Sequence, residues 1–146
     1  TKLYSNLDTR YTTKLDSHLI SKGNAILDLG SEEFTKDAPH PVFDPAIRLS
    51  RFRQEIEDEE TAVLLLDFIT GPGVHPDPIT AFIEPCRDAV KRGITVVANI
   101  CGSVYDPQDI TQKRAALEAA GVVVSQSNYQ SLRMASALMR ALEQRR

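Results

Sequence analysis

The chain has 146 residues, 42% of them hydrophobic, and a formal net charge of −3, enough apolar material for the core of one compact domain. Acidic and basic residues alternate along the whole length and Arg145-Arg146 is only a basic end, which argues against nucleic acid or another polyanion as a partner. No apolar stretch approaches the roughly 20 residues that span a bilayer, and no charged-then-apolar leader opens the chain, so a cytoplasmic location without membrane contact is expected.

Residues 1–22 begin at Thr1 and are polar and aperiodic; this segment, with Tyr4, Asn6, Tyr11 and His18, reads as a linker or arm of a fragment cut from a longer polypeptide. The domain proper is expected over 23–146. Residues 24–29 (Asn-Ala-Ile-Leu-Asp-Leu) form a short apolar run ended by Gly30, a first strand and its turn. A long loop with Pro39, Pro41 and Pro45 follows. Asp44-Pro45 then opens a helix whose apolar stripe is Leu49, Phe52 and Ile56.

That Asp-Pro step recurs at Asp77-Pro78 and Asp106-Pro107. An Asp at the N-cap accepts from a free first-turn N–H, and a Pro next to it gives up a donor that lacks a partner there anyway. The last two steps each follow a β-branched or leucine-rich run, so they mark strand-to-helix units. Residues 61–69 (Thr-Ala-Val-Leu-Leu-Leu-Asp-Phe-Ile) make a run that is apolar but for Thr61 and Asp67 rather than alternating, as a central strand covered on both faces is. Gly71-Pro72-Gly73 ends it, and a helix with Ile79, Phe82, Ile83, Cys86 and Val90 follows. Pro85 predicts a kink there or a late start near Glu84. Residues 94–100 form the next buried strand, 107–120 the third helix, 122–124 a short last strand, and Asn128 caps a final helix carrying Leu132, Ala135, Met139 and Leu142. Right-handed crossovers turn this order into an α/β, flavodoxin-like three-layer domain with a parallel sheet of about four to five strands.

In such folds ligands bind outside the carboxyl ends of the strands. Three loops fall there: 70–73, Gly102-Ser103, and 125–128. Glycine-lined turns beside helix N-termini suit an anion, so Gly71, Gly73, Gly102 and Ser103 are the candidate phosphate-binding residues. The same glycines serve plain turning as well, and Asp caps compete for the helix donors. His40, Asp44 and Arg48, together with Asp67 and His75, make a possible polar cluster. His18, His40 and His75 lack metal spacing, Cys86 and Cys101 read as structural thiols, and no metal site is expected. Leu64-Leu65-Leu66-Asp67 resembles a receiver phospho-acceptor strand, but the acidic pair and the Lys such a domain needs are missing. No G-x-G-x-x-G or P-loop follows any strand. No catalytic residue is named.

The motifs Leu27-Asp28-Leu29-Gly30, Phe34, Pro39-His40-Pro41-Val42-Phe43-Asp44-Pro45 with Arg48, Leu65-Leu66-Asp67, Gly71-x-Gly73, Asp77-Pro78, Gly102-Ser103-x-x-Asp106-Pro107-Gln108 and Ala120-Gly121-Val122 closely resemble the C-terminal domain of the FdrA family. That family is similar to succinyl-CoA synthetases, whose β subunit ends in a CoA-ligase domain. The resemblance implies a flavodoxin-like module of a larger acyl-CoA synthetase or oxamate carbamoyltransferase subunit, in a family associated with allantoin breakdown. It implies a phosphate-holding role for Gly71, Gly73, Gly102 and Ser103, CoA and a nucleotide in the full-length protein, partner subunits, and a small anionic substrate. Ser103 stands where the family usually has Thr, and Val42-Phe43 where it has Met-Ile. The alternative is a domain that serves only as an assembly surface of the same complex.

Overall fold

The computed structural model describes residues 2–144. The chain divides into two compact units, the first ending at Arg48 and the second beginning at Leu49. The first holds strands β1 (Leu3–Ser5), β2 (Thr13–Lys14) and β3 (Asn24–Ile26) and the single-turn helix α1 (Glu32–Thr35). Helix α2 (Ala46–Glu57) crosses the boundary. The second unit adds β4 (Val63–Ile69), α3 (Thr80–Lys91), β5 (Thr95–Cys101), α4 (Ile110–Ala119), β6 (Val123–Ser125) and α5 (Asn128–Glu143). All ladders are parallel, in the orders β2-β1-β3 and β4-β5-β6.

The α/β class and the parallel pairing are as expected. The strands, however, are shared between two three-stranded sheets rather than collected in one of four to five. Residues 1–22, read as an arm, contribute two of them. These strands are too short for hydrophobic periodicity to reveal; polar bonds hold them instead. Asn6, buried just beyond β1, donates through Nδ2 to Asp28 O (3.1 Å) and Ser31 Oγ (2.9 Å) and accepts at Oδ1 from Asp28 N–H (2.9 Å). One carboxamide thereby joins the end of β1 to the turn after β3 and satisfies its own buried groups.

In the second unit β5 is the central, most buried strand, whereas β4, expected to be central, pairs only with β5 and is mostly half-buried. Side chains alternate between faces along each strand. Phe68, Val96, Ala98, Ile100 and Val122 join Phe82, Cys86, Ala89 and Leu117 in the main core, packed by α3 and α4. The opposite set, Asp67, Asn99 and Ser125, forms one cross-strand row, since Asp67 pairs with Asn99 and Asn99 with Ser125. Asn128 and Ser131 of α5 bond to that row, so α5 covers the other face and completes three layers.

Helix ends depart from expectation in instructive ways. Asp44 Oδ1 accepts from Ala46 N–H (2.9 Å), as its Asp-Pro step requires, and Asp77 Oδ1 accepts from Thr80 N–H (3.0 Å), but α3 begins only at Thr80, with Ile79 in the N-cap position. Asp106 caps nothing: α4 starts later, at Ile110, with Asp109 in the left-handed region (φ 47°) accepting from Gln112 N–H (3.1 Å). Ser127 rather than Asn128 caps α5, accepting from Gln130 N–H at 3.2 Å while Gln130 Oε1 reaches back to Gln126 N–H, a reciprocal pairing of the capping-box kind. Helix α3 includes the buried Pro85 instead of beginning beside it. The lost donor would have served Ala81 O, and Ala81 is exposed, where water can replace it. Burial pushes the Cys86 thiol up to about 12, in keeping with a structural role, but Cys101 is exposed at the end of β5.

Phe82 is fully buried between Phe52 (ring centroids 5.9 Å) and Phe68 (5.2 Å, edge-on). Phe82→Ala should cost about 3–5 kcal/mol, read as a lower urea midpoint. Lys113 Nζ on α4 donates to Asp77 Oδ2 (2.8 Å) and Thr80 Oγ1 (2.5 Å) at the start of α3. Burial works to raise the Asp77 pKa, but the Lys113 ammonium and the Thr80 hydroxyl and N–H outweigh it and hold the carboxyl at about 2. The folded value is depressed, so this stabilisation is complete above the unfolded-state value and is lost as pH falls through about 2. Urea unfolding between about pH 5 and pH 2 should show a steeper loss for the native chain than for Lys113→Ala.

Candidate functional site

Parallel pairing brings the carboxyl ends of β4, β5 and β6 to one rim. Ile69 pairs with Cys101, and Thr70 N–H donates to Cys101 O (3.0 Å), so the loops after β4 and β5 leave side by side. All four anion-site residues read from the sequence lie on these two loops. Gly71 (φ +130°) and Gly73 (φ +84°) are in backbone conformations that L side chains rarely adopt, and a Cβ at either would meet open space. Their requirement is conformational. Gly102 has a different one: a Cβ there would overlap Thr70 Oγ1 and lie 2.7 Å from Asp106 Oδ2.

The cause is a bond network that sequence reading missed. Asp106 Oδ2 accepts from Thr70 Oγ–H (2.7 Å) and from Ser103 N–H (2.7 Å). The Ser103 N–H first, and then the Thr70 hydroxyl, hold the Asp106 carboxyl below its ordinary pKa, because both donors favour its ionised form. Gln108, buried, closes on the neighbouring loop: Oε1 accepts from Gly71 N–H (3.1 Å), and Nε2 donates to Gly71 O (3.0 Å) and His75 O (3.4 Å). The Asp106-Pro107-Gln108 step is thus a clasp between two strand-end loops. Gly73 and Gly102 N–H make no hydrogen bond among the described residues. At this rim a hydroxyl and a backbone donor hold an oxyanion of the chain itself, the Asp106 carboxylate.

The polar cluster read from the sequence divides. His40, Asp44 and Arg48 fall in the first unit, Asp67 and His75 in the second. His40 Nδ1 accepts from Val42 N–H (3.2 Å), and its Nε2 stands 2.5 Å from where a Cβ on Gly30 would lie, so His40 and Asp28 shape that turn. Asp44 is spent on its helix cap. His75 Nδ1 accepts from Asp77 N–H (3.0 Å), which fixes its loop. Asp67 meets two carboxamides, Asn128 Nδ2 at 2.5 Å and Asn99 Nδ2 at 3.4 Å. Beside it, Ser125 Oγ lies 2.5 Å from the buried Ser131 Oγ. This polar row on the α5 face had a sequence signal, polar residues at matching positions of three apolar strands, but it becomes visible only once the register is known. Among the described residues no His, Cys, Asp or Glu cluster could hold a metal, and no helix is long and apolar enough to cross a membrane.

Comparison with known proteins places these features in a lineage. A family model described as CoA-ligase matches residues 9–138. The uncharacterized protein YahF of Escherichia coli K12 is 33% identical over an alignment of 132 residues that covers 86% of this chain and 26% of YahF. The chain therefore spans about a quarter of that relative's length. The family match begins inside the segment read as an arm and takes in both strand-end loops, the clasp residues Asp106 and Gln108, and most of α5. On that coverage the chain belongs to the CoA-ligase family.

Proposed function

We propose that this chain is the CoA-ligase domain of a larger, FdrA-like acyl-CoA synthetase or oxamate carbamoyltransferase subunit, and that its strand-end rim holds the anionic part of a phosphorylated or carbamoyl intermediate. The observation that carries this reading is the donor set at the ends of β4 and β5. Thr70 Oγ–H and Ser103 N–H converge on one carboxylate oxygen, and Gly102 leaves the space that a Cβ would fill. The fold already orients these donors toward an oxyanion, which is the preorganisation such a site needs. Their chemistry fits a phosphate or carboxylate group. CoA and a nucleotide belong, in this reading, to the full-length protein and its partner subunits, in a cytoplasmic enzyme of allantoin breakdown.

A purely assembling role is the second reading. The exposure of Tyr129, Leu132, Leu138 and Leu142 along α5 favours it, because apolar side chains on one helix suit a subunit contact. The two readings differ at the rim. Titrating the chain with inorganic phosphate or carbamoyl phosphate should move the amide resonances of Gly71, Gly73, Gly102 and Ser103; a silent rim would leave the assembling role. Gly102→Ala should lower stability by about 1–3 kcal/mol, because its methyl displaces the Thr70 hydroxyl. It should also abolish the phosphate response at Ser103.

A further inference from the structure

We infer that Asp106 is a resident internal anion, a carboxylate that fills the rim's oxyanion cradle until an external phosphate-class anion displaces it. This rests on the reading of the rim as an anion site and adds its regulation. Three features of the Asp106 contact argue for exchange rather than permanent closure. The donors engaged, one hydroxyl and one backbone N–H, are indifferent to which oxyanion they receive. Asp106 is only half-buried and Ser103 is exposed, so an anion from solvent can reach the Ser103 N–H directly, whereas the buried Thr70 hydroxyl is offered to it as the Asp106 carboxylate leaves. The Asp106 carboxylate also lies outside any helix cap, since Asp109 performs that task for α4; the link between them is backbone, Asp109 N–H to Asp106 O (3.4 Å), so rotation of the side chain alone takes no bond from the α4 start.

Electrostatics make the occupancy exclusive. A phosphate oxygen taking up the same two donors would stand within a few ångströms of the carboxylate, and two like charges at that distance cannot share a site in their ionised forms without a large penalty. The external anion therefore enters as Asp106 swings out. The segment that moves with it carries Val104 and Tyr105, which are 70% and 93% exposed. Asp106 N–H to Ser103 O (3.0 Å) and Tyr105 N–H to Ser103 Oγ (3.2 Å) close this small turn on itself. The other half of the clasp, the bonds from Gln108 to Gly71 and His75, does not use the Asp106 carboxylate and would hold the two loops together meanwhile.

The test compares three versions of the chain, native, Asp106→Ala and Asp106→Asn, each titrated with inorganic phosphate against a chloride blank of equal ionic strength while the amides of Thr70, Gly73, Gly102 and Ser103 are followed. Removing the carboxylate charge should tighten phosphate binding about tenfold or more, with Ser103 among the amides that move. Equal affinity in all three, weaker binding in the variants, or the same response to chloride would overturn the displacement and leave the anion rim standing. If phosphate moved no rim amide in any of the three, both the displacement and the anion rim would fall. Should Asp106→Ala lose its dispersed spectrum, Asp106→Asn, which keeps the size and an acceptor oxygen, decides alone.

Discussion

The second unit's chemistry depends on the parallel register of β4, β5 and β6. Parallel neighbours require each crossover to run back along a helix, and α3 and α4 do so here. Consequently all three strands point the same way and their exit loops share a rim. Register matters as much as direction. With Asp67 opposite Asn99 and Asn99 opposite Ser125, the polar residues form a row beneath α5 while Phe68, Ala98 and Ile100 face the main core. A slip of one residue would exchange the two sets and drive a carboxylate into the aromatic cluster around Phe82. The aromatic core therefore fixes the site's geometry at a distance, by selecting the register.

From that register the rim's self-sufficiency follows. Strand-end loops expose backbone groups that must find partners, and here side chains from the loop after β5 supply many of them. Gln108 matches both backbone groups of Gly71, a bidentate fit that an amide makes because it carries a donor and an acceptor side by side. Asp106, which accepts only, goes to the hydroxyl and the N–H. Each residue type sits where its hydrogen-bonding inventory fits. No buried side-chain nitrogen or oxygen among the described residues lacks a partner.

The legible part of this architecture was the part written in local chemistry. Long apolar runs revealed β4 and β5, and the Asp-Pro steps at Asp44 and Asp77 revealed two helix starts, because caps and Pro act within one turn of the chain. The same reasoning misled at Asp106, whose sequence context matches the other two while its partners are Ser103 and Thr70. A tertiary bond won over a local cap, and nothing nearby in the sequence marks that outcome. Strands β1 and β2 were hidden for a related reason: a three-residue and a two-residue strand carry no period, and Asn6 anchors the end of β1 through bonds to residues 22 and 25 positions away. The four candidate rim residues were found from their place after strands, whereas Thr70, Asp106 and Gln108 required the fold.

At Ser103 the backbone, not the side chain, meets the Asp106 carboxylate. Ser103 stands where Thr is usual, and both residues carry a hydroxyl. In the structure the Ser103 Oγ accepts from Tyr105 N–H (3.2 Å) and so shapes its own turn, while the group that meets the carboxylate is the Ser103 backbone N–H. The hydroxyl that does face the anion belongs to Thr70, on the adjoining strand end. Backbone donors do not depend on side-chain identity, so exchange of Ser for Thr at 103 leaves the cradle's donor set unchanged. Thr70 and Gly102 tolerate less. One must bring an oxygen to the carboxylate, and the other must leave that oxygen room, so the two positions constrain each other across the β4–β5 ladder.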